Sequence, residues 1–282
     1  MTKVDSHQHF WDPGRASYPW MTDEVAPIRR AFGPADLRPL IDRHGFRRTI
    51  LVQTRSSTAE TEEFLAAAAA ERFIGGVVGW VDLADPAVAD EIARLRAGPG
   101  GEWLVGIRHQ VHDEPDPEWL ARADVRRGLE AVSAAGLAYD LLVRPRELPA
   151  AFDAAAALPD LRFVMDHIGK PRIATAEIEP WASLLGSLAE LPNVSCKLSG
   201  MVTEADWSSW TTVDLHPFVD VVLEAFGPER LLFGSDWPVC LLAASYDRVV
   251  QATHELLAGL SESERDRVFG DSAAEVYGLD AD

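Results

Sequence analysis

Val4-Asp5-Ser6-His7-Gln8-His9-Phe10 opens the chain, and Trp11-Asp12-Pro13-Gly14 interrupts it. The run reads as a first strand. Residues i and i+2 of a strand face one way, so His7 and His9 point to one side and Asp5 joins them. In a barrel that side is the lumen. Two co-facing imidazoles suit a divalent ion, or a pair of hydrogen-bond donors to a substrate oxygen. By itself the His-x-His is weak evidence, because a chance pair near a terminus looks the same.

Seven more β-type runs follow, at residues 48–53, 74–83, 104–110, 137–143, 161–168, 193–199 and 230–236. Helical stretches separate them. Ser57-Thr58-Ala59-Glu60 is a capping-box pattern ahead of an Ala-rich run to Glu71. Asp85-Pro86 offers a cap and an N1 proline before residues 87–97. Residues 117–135 are amphipathic and stop at Gly136. Residues 146–158, 179–191 and 215–226 read as helices, and 262–277 as a final one broken near Gly270. Eight strand–helix alternations in 282 residues describe an α/β chain of the (β/α)8, or TIM-barrel, class, one domain over residues 1–282. A doubly wound open sheet shares that alternation. Yet no glycine-rich dinucleotide or phosphate loop follows any strand. The reactive side chains also gather at strand C-terminal ends, where a barrel keeps its site. Residues 11–30, aromatic and proline-containing, would lie over the barrel mouth as a lid-like loop. That loop would either bring Trp11 or Trp20 to a substrate wall or pack its own tryptophans.

Composition excludes several classes. The 26 Lys and Arg against 45 Asp and Glu give a formal charge of −19, which would repel a nucleic acid. A content of 47 % hydrophobic and 25 % charged residues belongs to a folded chain, not a disordered one. No run approaches the roughly 18 apolar residues of a membrane span. Met1-Thr2-Lys3 leads straight into polar residues, with no signal-peptide pattern. Cys196 and Cys240 are too few for a disulfide framework, so a cytoplasmic setting is expected. A homo-oligomer is left open.

Four later stretches carry chemistry. Met165-Asp166-His167-Ile168-Gly169-Lys170-Pro171 ends an apolar strand in an Asp-His doublet, costly to bury without partners. Gly234-Ser235-Asp236-Trp237-Pro238 puts an aspartate at the end of the last strand, where it could ligate a metal, take a proton from water, or merely cap the next helix. Ser195, Lys197 and Ser199 face one side of the seventh strand, and a lumenal lysine should meet an anion or a substrate. Arg108 and His109 end the fourth strand on opposite faces, so only a strand-end twist would bring both into one site.

Together these stretches resemble the amidohydrolase superfamily: a His-x-His after the first strand, a histidine after the sixth and an aspartate after the eighth. DSHQHFWD, GIRH, DHIGKP, CKLSG and LLFGSDWPV, in that order, are similar to its amidohydrolase-2 branch. That branch holds sugar-lactone hydrolases acting on L-fucono- and L-rhamnonolactones, with the 2-pyrone-4,6-dicarboxylate lactonases as relatives. The resemblance runs from Val4 to the Tyr277 helix. It implies an amidohydrolase-like barrel and lactone hydrolysis in carbohydrate catabolism. Two-metal members carry a fifth-strand histidine, and Leu137-Ala138-Tyr139-Asp140-Leu141-Leu142-Val143 has none. The resemblance therefore implies either no metal or one divalent ion, zinc, on His7, His9 and Asp236, with His167 or Asp140 nearby.

The function expected is hydrolysis of a sugar-derived lactone. Asp236 would act as general base on water, while His7, His9 and His167 polarise the carbonyl, directly or through one ion. Lys197, Arg108 and His109 would bind substrate hydroxyl or carboxylate groups, and Trp11, Trp80 or Trp237 would stack on the sugar. The alternatives are a metal-dependent decarboxylase of the same superfamily and a non-catalytic binding barrel. The cationic and protonatable residues would converge on the mouth, leaving the acidity to the outer helices.

Overall fold

The structure, a computed structural model, describes residues 2–279. Eight parallel strands form one sheet in sequential order, β1 to β8. They are β1 Lys3–Gln8, β2 Phe46–Val52, β3 Ile74–Gly79, β4 Leu104–His109, β5 Ala138–Leu141, β6 Phe163–Met165, β7 Val194–Leu198 and β8 Leu231–Phe233. Each neighbouring pair is parallel. The seam between β8 and β1 closes just beyond the strands. Gln8 pairs in parallel with Trp237. Asp236 N donates to His7 O at 2.9 Å, and His9 N donates to Trp237 O at 2.8 Å. Ser6 Oγ donates to Phe233 O at 2.7 Å. The chain is therefore a single-domain TIM barrel.

Helices wrap it: α1 Pro34–His44, α2 Thr58–Ala70, α3 Val88–Ala97, α4 Ala123–Ala134, α5 Leu148–Ala157, α6 Trp181–Ala189, α7 Met201–Glu204, α8 Thr212–Phe226, α9 Tyr246–Leu256, α10 Glu262–Asp266 and α11 Ser272–Tyr277. Ser57 caps α2 by accepting from Glu60 N, as its sequence predicts. The Glu60 carboxylate instead accepts from Thr54 N and Arg55 N, at 2.7 and 2.9 Å, and ties the end of β2 to α2. The final helix is interrupted by a π turn over Arg267–Asp271, which contains Gly270. Helices α1 and α9 lie outside the pattern read from sequence. Two prolines and only two buried residues, Leu37 and Ile41, hide the apolar stripe of α1.

The lumen is layered. Val4, Ile50, Val78, Ala138, Val164 and Leu232 fill its lower part, where Tyr277 from α11 plugs it. Charged residues begin one layer higher. Val4 faces inward, so Asp5 faces out, contrary to the shared face read for Asp5, His7 and His9. A register irregularity between Asp5 and Gln8 then returns the imidazoles to the lumen. Asp5 serves the seam: it accepts from Ser235 N at 2.9 Å and Tyr246 Oη at 3.1 Å. Burial pushes its carboxyl up to about 6.

Close approach at the seam demands a small residue. A Cβ on Gly234 would lie 2.7 Å from His7 Cβ and 3.0 Å from Ser199 Cβ. Gly234→Ala is expected to cost about 1–3 kcal/mol by overpacking. Denaturant unfolding measures this, and an unchanged midpoint would show that the seam can relax.

Candidate active site

A cavity of about 480 Å³ opens above the C-terminal ends of the strands. His9, Arg108, His167 and Asp236 line it, and Trp20 and Val25 come from the loop after β1. The loop thus brings Trp20 to the wall, anchored by its Nε1–H donating to Thr54 O at 3.1 Å. Lys170, Glu204 and Trp207 line the wall from the loops after β6 and β7. Those three carry no strand pattern and escape the sequence reading as site residues, whereas Trp20 is one of the two loop tryptophans it offered for the wall. The only signal was position: each lies in a segment leaving a strand's C-terminal end.

The imidazoles and carboxylate meet as the sequence predicts. His7 Nε2 lies 3.1 Å from His9 Nε2. Asp236 Oδ1 lies 3.8 Å from His7 Nε2, 3.5 Å from His9 Nε2 and 4.0 Å from His167 Nε2. All four residues are buried. The backbone that aims them is unusual. Asp236 is left-handed at φ 55°, and His167, Ile168, Gly169 and Lys170 are left-handed in succession. Such a run is costly for L residues, and for the β-branched Ile168 most of all. It ends β6 at Met165 instead of continuing to Ile168, and swings His167 over the lumen.

The donor set suits a cation. His9 Nδ1 faces a carbonyl acceptor, Val52 O at 2.7 Å, and donates to it, which turns Nε2 toward the cavity. Nε2 faces an Asp236 carboxylate oxygen at 3.5 Å, an arrangement that wants a positive charge between them, a proton or a metal ion. His7, His9 and Asp236 each offer one ligand atom within 4.8 Å of the others. Their spacings of 3.1, 3.5 and 3.8 Å bracket the ligand–ligand edge of about 3.3 Å that a tetrahedral zinc site requires. A second group, His7, Asp166 and His167, overlaps the first. Asp140, read as lying near such a site, belongs to neither.

Burial lowers His7 and His167 well below the ordinary imidazole range, so both are neutral at pH 7. Burial would raise Asp236, but His167 and His9 outweigh it and hold the carboxyl below its usual value.

Beneath the floor lies a charged layer. Lys197 is fully buried and never reaches the cavity, unlike the substrate contact read from sequence. Its Nζ lies 2.5 Å from Asp140 Oδ2, 2.9 Å from Asp166 Oδ1 and 3.2 Å from His7 Nδ1. Tyr277 Oη donates to Asp140 from below at 2.9 Å. Asp166 also takes Arg108 Nη1 at 2.9 Å. Burial opposes ionisation of Asp166, yet Lys197, His7 and Arg108 together hold it well below the usual range.

The remaining predicted contacts sit elsewhere, because strand alternation turns them away. No twist rescues His109: its ring stacks on Trp119 at 4.3 Å, accepts from Trp80 Nε1 at 3.0 Å and meets Glu114 at 2.7 Å. Trp80 is thereby occupied as well. Trp237 is buried edge-on between Phe10 and Phe32. Trp11 lies behind His9 and donates to Ile28 O, anchoring the loop without lining the cavity.

Fold and site together define a (β/α)8 hydrolase whose histidine–aspartate centre sits at the barrel mouth. The chain matches the amidohydrolase family over residues 4–279 and belongs to it. It is 41 % identical to an L-fucono-1,5-lactonase of Burkholderia multivorans, over 98 % of this chain and 96 % of that protein. An L-fucono-1,5-lactonase of Burkholderia ambifaria is 37 % identical, over 99 % and 96 %. A crystal structure of an amidohydrolase from Burkholderia multivorans with zinc bound superposes with a TM-score of 0.94 at 40 % identity, covering 99 % of this chain and 100 % of that one.

Lys197→Met would leave two buried carboxylates without their ammonium. The expected cost is about 3–5 kcal/mol at pH 7. In the variant Asp140 has lost its cation while Asp166 keeps Arg108, so Asp140 gains a proton more readily folded than unfolded and stability falls as pH rises. The deficit should therefore shrink toward pH about 4, near the unfolded carboxyl value. Urea unfolding of both proteins across pH checks the sign.

Proposed function

We propose that this protein hydrolyses the lactone of an aldonic acid, with Asp236 as the group that takes the proton from the attacking water. The observation that carries the mechanism is the convergence of Asp236, His9, His167 and Arg108 on the floor of one mouth cavity. The lactonase names of the two Burkholderia relatives support the substrate class.

The depressed Asp236 carboxyl is ionised at neutral pH and available as a proton acceptor. Arg108, fixed by Asp166 and by the Gln53 carbonyl at 2.5 Å, is a preorganised cation for the developing oxyanion. His167 is oriented by Ser199 Oγ, 2.9 Å from its Nδ1. His9 donates its Nδ1–H to Val52 O, which aims Nε2 at the cavity, where a neutral ring would serve as a ligand. Water attacks the lactone carbon, the acyl–oxygen bond breaks, and the proton taken by Asp236 returns to the leaving ring oxygen. The weak basicity of Asp236 favours that return. A divalent ion bound by His7, His9 and Asp236 would polarise the carbonyl or acidify the water. Zinc is the ion this donor set suits. Among the described residues no helix is long and apolar enough to cross a membrane. A cytoplasmic setting, consistent with two buried unpaired cysteines, belongs to the same reading.

A panel of neutral aldono-1,4- and 1,5-lactones, L-fucono-1,5-lactone included, tests the activity by acid release in a pH-indicator assay. Asp236→Asn should fold normally and lose about 10²–10⁴-fold in kcat. Near-wild-type turnover by that variant would remove Asp236 from its role. Chelation should remove both bound zinc and activity, and zinc should restore both. Full activity in metal-free protein would assign carbonyl polarisation to Arg108 and His167 alone.

A further inference from the structure

The wall between β6 and β7 holds an ion pair that the hydrolytic mechanism above does not use. Lys170 Nζ donates to Glu204 Oε1, and both side chains line the cavity. Their side chains are 17 % and 25 % exposed, so the pair is only partly hydrated. Trp207, three residues beyond Glu204, lines the same wall and is the large aromatic left exposed, at 39 %.

Both partners are aimed by strained or tightly packed backbone. Lys170 ends the left-handed run at φ 50°. Glu204 ends the short helix α7, which starts at Gly200, also left-handed at φ 61°. A Cβ on Gly200 would lie 2.5 Å from His167 Nδ1. The two segments are locked together through the His167–Ser199 contact. The pair is therefore held in fixed relation to the catalytic histidine and does not wander as a surface ion pair does.

We propose that Lys170 and Glu204 form a specificity-determining pair that accepts the neutral hydroxyls of a sugar lactone and excludes lactones carrying a carboxylate. The inference rests on the lactonase reading and adds to it. One hydroxyl can accept from the ammonium while donating to the carboxylate, so a polyol engages both groups without upsetting their charge balance. At the pair itself a substrate carboxylate finds the Lys170 ammonium already matched by Glu204. Arg108, held by Asp166, is the cation given above to the reacting carbonyl oxygen, and Lys170 is paired with Glu204. Arg144, exposed at the rim of the wall, donates to His112 O at 3.4 Å, and Asp113 near it has a carboxyl lowered mainly by its hydrogen bond to His112. A substrate anion would also meet Glu204 at close range, and like charges in a partly dehydrated cavity repel strongly. Trp207 supplies an apolar face for the sugar ring beside the pair.

The test compares kcat/KM for the best neutral aldonolactone of the panel with that for a lactone of galactaric acid, which carries a carboxylate. Wild type should prefer the neutral lactone by about 100-fold or more. Glu204→Gln keeps the shape and frees the Lys170 charge. It should lose about 10-fold on the neutral lactone, chiefly in KM, and gain about 10-fold on the anionic one. Lys170→Met should lose on the neutral lactone and gain nothing on the anionic one. Should Glu204→Gln fail to fold, Glu204→Ala asks the same question. Equal losses on both substrates, or no change on either, would overturn the pairing role, as would a wild type that prefers the anionic lactone. Wild type inactive on every lactone would instead overturn the lactonase reading itself.

Discussion

Lys197 sits with no exposed surface between two aspartates, and the architecture above it depends on how that charge is compensated. A lone ammonium at that depth would be intolerable, and so would either carboxylate. The chain answers with a closed set: Lys197 and Arg108 against Asp140 and Asp166, with Tyr277 donating from the C-terminal helix. Apart from Tyr277, Arg108, Asp140 and Lys197 come from three different strands, and Asp166 is the residue just beyond β6. The four strands β4 to β7 are thus held in one register by charge as well as by their ladders. His7 reads that layer directly through Nδ1, and its Nε2 is what the cavity floor receives. The position of one proposed ligand follows from a network it does not share with solvent.

Above that layer the site is made by backbone that departs from regular structure. Strands β6 and β8 are only three residues long. Beyond them the chain turns left-handed at His167 to Lys170 and at Asp236, and those turns carry two reactive groups into one space. The strain is tolerable because the barrel below is rigid and because Gly200 and Gly234 leave room where any Cβ would strike a histidine. Strain, small residues and reactive groups coincide at the same strand ends, as expected of a preorganised site.

Much of this was legible in the chain. Eight β-type runs between helical stretches are a period-based signal, and each became a strand. His7, His9, His167 and Asp236 were readable because each ends a strand in a polar residue that a buried position would not otherwise hold. The failures have physical causes. Asp5 was given the wrong face because a bulge within β1 is not visible in alternation. Lys197 was placed on the correct face but the wrong side of the floor, since depth along the barrel axis depends on register and not on sequence. Trp80 and His109 bind each other behind the wall, a pairing between two strands that no local pattern encodes. Lys170 and Trp207 occupy loops and Glu204 a one-turn helix, where neither period nor cap marks a side chain as facing the cavity.

The acidic balance takes on a different meaning beside this geometry. A charge of −19 suggested that the basic residues of the mouth would form a local positive exception. They do not, because Arg108 is matched by Asp166, Lys170 by Glu204, and Arg144 lies by Asp113. The mouth is charge-rich yet compensated, which is a different device from an anion trap. An anion trap gains affinity from net attraction and is indifferent to hydroxyl pattern. A compensated pair contributes little to a simple ion, and it rewards a ligand that can donate and accept at once. On the proposed reading, such a mouth in an acidic protein would favour neutral, hydroxyl-rich substrates twice over: the long-range field disfavours the approach of anions, and the paired Lys170 and Glu204 reward hydroxyls over a carboxylate.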